Sequence, residues 1–85
     1  MSDIVKRPDR DEFALALPAQ VSDVERIVAL IERIKSDDED AHGREDDLHR
    51  AVMEAIANGT WRDSPAALCR AALKTREIEF ARWCA

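Results

Sequence analysis

Eighty-five residues, 46% of them hydrophobic, provide for one small globular domain and exclude a disordered chain. The longest apolar run, residues 13–18, is far too short to cross a bilayer, and two cysteines are too few for a disulfide-built secreted scaffold. The net charge of −5 is unevenly spread: residues 1–50 hold 14 acidic and 8 basic side chains, residues 51–85 hold 4 and 5. Two glycines and three prolines among many helix formers predict an all-α fold, a compact bundle of three or four short helices.

Residues 1–12 are charged throughout and contain Pro8; they read as a flexible arm before a single helical domain over residues 13–85. No apolar signal core follows, so the expected location is the cytoplasm, with Cys69 and Cys84 as free thiols. Phe13 to Leu17 form an apolar patch closed by Pro18, which disfavours a helical conformation at Leu17. The patch reads as a strap over the core.

The first helix is expected over residues 22–36. Ser22 and Glu25 have the spacing of a capping box, and Val24, Ile27, Val28, Ile31 and Ile34 recur at helical period. Ala29 and Leu30 widen that stripe. A chain this short has little material to cover it, so a homodimer through Val24, Ile31 and the C-terminal helix is expected.

An acidic run follows. Between residues 37 and 47 stand seven carboxylates (Asp37, Asp38, Glu39, Asp40, Glu45, Asp46 and Asp47) against one base, Arg44. The run reads as a solvated acidic loop broken at Gly43, with a second helix starting at residues 45–47 and ending at Asn58-Gly59. Its Asp38, Asp40, Gly43 and Asp46 match four positions of a calcium loop. His42 and His49 replace the fifth-position oxygen ligand and the closing bidentate glutamate, so no calcium site is expected. Glu45 and His49, at i and i+4, do not complete a zinc site. No cofactor or metal is expected.

Ser64-Pro65 starts a third helix, with Ser64 as N-cap and Pro65 at its first position. The stretch to Ala85 can be one helix or two, the second capped by Thr75. Ser64-Pro-Ala-Ala-Leu-Cys-Arg-Ala-Ala-Leu-Lys-Thr-Arg-Glu-Ile-Glu-Phe-Ala-Arg-Trp resembles the helix-turn-helix of small Cro-type regulators over about a quarter of the chain. Leu73-Lys74 stand where that family has Gly and an aliphatic residue. The resemblance implies a DNA-binding regulator using Lys74, Arg76 and Arg82. Arg76, Glu77, Glu79 and Arg82 nearly cancel in charge, leaving few groups for phosphate contacts.

Neither a phosphate loop nor a nucleophile motif is present, and an enzyme is not expected. The leading reading is a non-enzymatic protein-binding module. Its acidic residues would dock a basic partner surface, with Trp61 in the 60–63 connection as an apolar anchor. A sharper form is a phage-type inhibitor of a nucleic-acid-handling complex, as anti-CRISPR proteins are, with carboxylates placed where phosphates would bind. The expected core is Ile27, Val28, Ile31, Leu48, Val52, Ile56, Leu68 and Leu73.

Overall fold

The computed structural model describes residues 8–82. Three α-helices and two short 3₁₀ turns make up the architecture, and no β-strand occurs among the described residues. Helix α1 is Val21–Arg33, α2 is Asp38–Ala57 and α3 is Pro65–Leu73, with 3₁₀ turns at Arg10–Phe13 and Lys74–Glu77. Each helix packs on the other two, so the fold is the expected all-α bundle.

Helix α1 buries Val24, Ile27, Leu30 and Ile31, and Ile34 continues that stripe past its end. Val24 and Ile31 are therefore consumed by the protomer's own core and cannot form the expected contact between copies. Its start also differs from expectation. Ser22 is exposed inside the first turn and Gln20 is the N-cap, with no side-chain cap of its own. The Val21 amide instead donates to Asp63 Oδ2 at 2.9 Å, from 42 residues away. Asp63 reaches it from a left-handed backbone conformation, φ 66°. Asp23 accepts the Ala16 amide at 2.8 Å and pairs with Arg26 at 2.9 Å. Arg26 in turn donates to the carbonyls of Glu12 and Ala14. A tertiary clamp on the N-terminal strap has taken over the charges that would have formed the local box.

The strap itself is as expected in part. Phe13 and Leu15 pack on the core, while Leu17 is exposed. Asp9 and Glu12 cap the Arg10–Phe13 turn reciprocally, so ordered structure begins earlier than residue 13. Residues 1–7 of the expected arm lie outside the described residues. Ala19 pairs in parallel with Trp61, through Ala19 N–H to the Thr60 carbonyl and Arg62 N–H to the Ala19 carbonyl.

Helix α2 starts seven residues before its expected position. Asp37 is its N-cap and accepts the Asp40 amide at 3.1 Å, and Asp38, Glu39 and Asp40 fill the first turn. Carboxylates at the positive end of a helix dipole stabilise that end, so the acidic run builds two helical turns instead of a loop. Gly43 sits within the helix at an exposed position. The far end is a Schellman motif: Gly59 N–H bonds the Ile56 carbonyl, Thr60 N–H bonds the Ala55 carbonyl, and Gly59 adopts φ 73°.

Helix α3 begins as expected, with Ala67 N–H donating to Ser64 Oγ at 3.0 Å and Pro65 at the first position. It stops at Leu73. Residues 74–77 tighten into a 3₁₀ turn and residues 78–82 run on without helix. Thr75 caps no new helix; its hydroxyl is buried and donates to the Ala72 carbonyl at 3.1 Å. Of the expected core, Ile27, Ile31, Leu48, Val52 and Leu68 are buried, Val28 and Ile56 are half-buried, and Leu73 is exposed. Ala41, Ala55, Ala71, Ala72 and Ile78 complete the core.

Candidate functional site

Helix periodicity divides the seven acids into three groups. Leu48, Val52, Ala55 and Ala41 mark the inward face of α2. Residues 39, 46 and 47 fall on the opposite side, and Glu39, Asp46 and Asp47 are all exposed there, around Gly43. Glu39 and Asp46 are two turns apart, about 10.5 Å along the axis. Asp37, Asp38 and Asp40 crowd the helix start, where they perform structural roles as well. Asp38 Oδ1 accepts the Ala81 amide at 3.2 Å, and Asp40 lies 3.4 Å from Arg44 Nε. Arg44 also stacks over the Phe13 ring at 4.6 Å.

Glu45 does not belong to the acidic surface. It is 1% exposed and points into the bundle. Arg82 binds it with both prongs, Nε to Oε1 at 2.9 Å and Nη2 to Oε2 at 3.1 Å. Arg76 lies 3.7 Å from the same carboxylate. Burial pushes the Glu45 carboxyl up, but hydrogen bonds from Arg82 and Thr75 and the charges of Arg82 and Arg76 outweigh it and hold it below the usual glutamate range. The hydrogen bond to Glu45 raises Arg82 in turn. Arg82 also donates to the carbonyls of Thr75 at 2.8 Å and Ile78 at 3.2 Å, and its guanidinium stacks on Phe80 at 3.8 Å. Backbone carbonyls at a chain reversal, a stacked ring and a buried carboxylate thus share one guanidinium. This ties the C-terminal segment to α2 without a helix.

Next to this pair, His49 Nε2 lies 2.9 Å from Thr75 Oγ1 and 3.1 Å from the Ala72 carbonyl. A hydroxyl, an imidazole and a carboxylate in sequence resemble a catalytic relay in composition. Thr75 is 0% exposed, however, so no substrate reaches its hydroxyl. The network joins α2 to the 3₁₀ turn and is structural.

The calcium-like positions Asp38, Asp40, His42, Gly43, Asp46 and His49 lie on a continuous helix, which cannot wrap a cation as a loop does. The candidate ligand atoms of His42, Glu45 and Asp46 lie within 4.8 Å of one another. A cation there would meet the guanidinium groups of Arg82 and Arg76, both already on Glu45.

The cations of the helix-turn-helix reading are likewise redistributed. Lys74 and Arg76 remain exposed, whereas Arg82 is committed to Glu45. The second helix that would enter a DNA groove is not formed over residues 74–82. Trp61 is 36% exposed, on a backbone held by its bridge to Ala19. Trp83 and Cys84 lie outside the described residues. Sequence reading missed Glu45–Arg82 because a lone carboxylate inside an acidic run carries no sign of burial. The available signal was the spacing Ala41, Glu45, Leu48, Val52, which places Glu45 on the inward stripe.

Comparison with family models, with curated proteins and with solved structures finds no match to this chain.

Proposed function

We propose that this protein is a non-enzymatic protein-binding module whose α2 start docks on a basic surface of a partner macromolecule. The observation that carries the reading is the placement of Glu39, Asp46 and Asp47 on the outward side of a continuous helix, with Asp37, Asp38 and Asp40 at its start. Carboxylates on a helix are pre-positioned, so little ordering entropy is lost when a basic surface meets them. Their long-range field raises the association rate and selects against acidic partners, while apolar contact at Trp61 would hold the complex. A basic surface that normally receives nucleic-acid phosphates is the natural target, which makes an inhibitor of a nucleic-acid-handling complex the sharper form. The decisive experiment compares wild type with Glu39→Gln/Asp46→Asn/Asp47→Asn in quantitative capture of interacting proteins from the native host, at low and high salt. Loss of one specific basic partner in the variant supports the reading. Identical captured sets at every salt concentration sink it.

The second reading, a DNA-binding regulator, keeps Lys74 and Arg76 as exposed cations. Salt-dependent retardation of duplex DNA, abolished by Lys74→Glu/Arg76→Glu, would favour it instead.

A further inference from the structure

We infer that the outward face formed by α2 and α3 is an interface with a second copy of this chain. An apolar groove of about 240 Å³ lies between the two helices, lined by Val52, Met53, Cys69, Ala72 and Leu73 with His49 at one end. Two large apolar side chains stand beside it: Met53 is 62% exposed and Leu73 56%. Neither is needed by the protomer's core, and together they form an apolar patch that water solvates poorly.

The chain's own C-terminus does not fill the groove. The Ala81 amide is bonded to Asp38, fifteen residues along α2 from Met53 and therefore about 22 Å away. The three residues after Arg82 span at most about 10 Å.

Charge identifies the occupant. Arg50 and Arg70 are exposed cations beside Met53 and Leu73, and Asp46 and Glu54 are exposed anions one turn either side of Arg50. The other charged groups at the rim already pair within the chain, Lys74 with Glu77 at 3.8 Å and Arg76 with Glu45 at 3.7 Å. The face thus interleaves both signs, unlike the single-sign start of α2. A strongly acidic or strongly basic partner would meet repulsion at half of these positions. A copy of the same face, turned over on a two-fold axis, sets arginines against carboxylates on both sides of an apolar centre. This interface replaces the one expected through Val24 and Ile31, and it is independent of the docking role proposed for the acidic residues.

Sedimentation equilibrium of the full chain up to about 1 mM tests the inference, a range that captures weak interfaces. Wild type is expected to show a concentration-dependent dimer. Leu73→Glu and Met53→Glu are each expected to raise the dissociation constant at least tenfold, and Arg70→Glu to raise it by a smaller factor. All three side chains are exposed in the protomer, so their circular dichroism should match wild type. Leu17→Glu, at another exposed apolar residue, is the control and should leave the dimer unchanged. A monomeric wild type throughout the range overturns the inference. So does a dimer that Leu73→Glu and Met53→Glu leave intact.

Discussion

Replacing Arg82 by Met removes the partner of a carboxylate that is 1% exposed. The side-chain volume is largely kept, but Glu45 loses both charge-assisted hydrogen bonds, at 2.9 and 3.1 Å. Breaking one side of a buried ion pair typically costs about 3–5 kcal/mol, because the remaining charge stays desolvated. Here Arg76 at 3.7 Å supplies some compensation, and Arg82 is itself 18% exposed, so the lower end applies, about 3 kcal/mol. For a domain of this size that corresponds to a fall in Tm of roughly 12–20 °C. The pH dependence follows from the same carboxylate. In wild type the Glu45 pKa is lowered, so its contribution is fully present above the ordinary glutamate range and is lost as pH falls through the folded value. In Arg82→Met, burial dominates and the pKa rises, so the penalty is full at neutral pH and is relieved as Glu45 takes a proton in acid. Urea denaturation at pH 7 and pH 4 measures both. The double variant Glu45→Gln/Arg82→Met should recover part of the loss, because no buried charge remains. A single variant that loses less than about 1 kcal/mol at pH 7, or a double variant as damaged as the single, refutes the assignment of Glu45–Arg82 as the tie between α2 and the C-terminal segment.

Gly43→Ala should stabilise the fold by about 0.5–1 kcal/mol, since an added Cβ meets nothing within 4 Å and helix propensity improves; a loss in chemical denaturation would show that α2 is not continuous there. Asp63→Ala should cost about 1 kcal/mol by uncapping Val21, measurable as a fall in Tm, and an unchanged Tm would place the α1 cap elsewhere. Leu68→Ala should cost about 2–5 kcal/mol because Leu68 is fully buried, whereas Leu73→Ala in the monomer should cost well under that; equal losses would contradict the register of α3. Thermal melts with and without Ca²⁺ or Zn²⁺ should superimpose, and a saturable rise in Tm with either ion would contradict the account of His42, Glu45 and Asp46.

Local signals determined much of this fold. The period of Val24, Ile27 and Ile31, the Ser64-Pro65 start and the Asn58-Gly59 stop each depend on neighbours within a turn or two, so the chain carries them in plain order. The tertiary structure decided everything that depends on partners far along the chain. Asp63, not Ser22, caps α1, because Asp23 and Arg26 are drawn to the N-terminal strap. The acidic run becomes helix because Ala41, Glu45 and Leu48 share a buried stripe, and burying Glu45 is tolerable only with Arg82 brought to it from 37 residues away. The same pairing turns the C-terminal segment away from a second helix and withdraws Arg82 from the surface. An acidic residue's burial is set by whether a cation arrives from elsewhere in the fold, and spacing within one segment cannot encode that arrival. Glu39, Asp46 and Asp47 remain outward because no such cation reaches their side of α2 among the described residues.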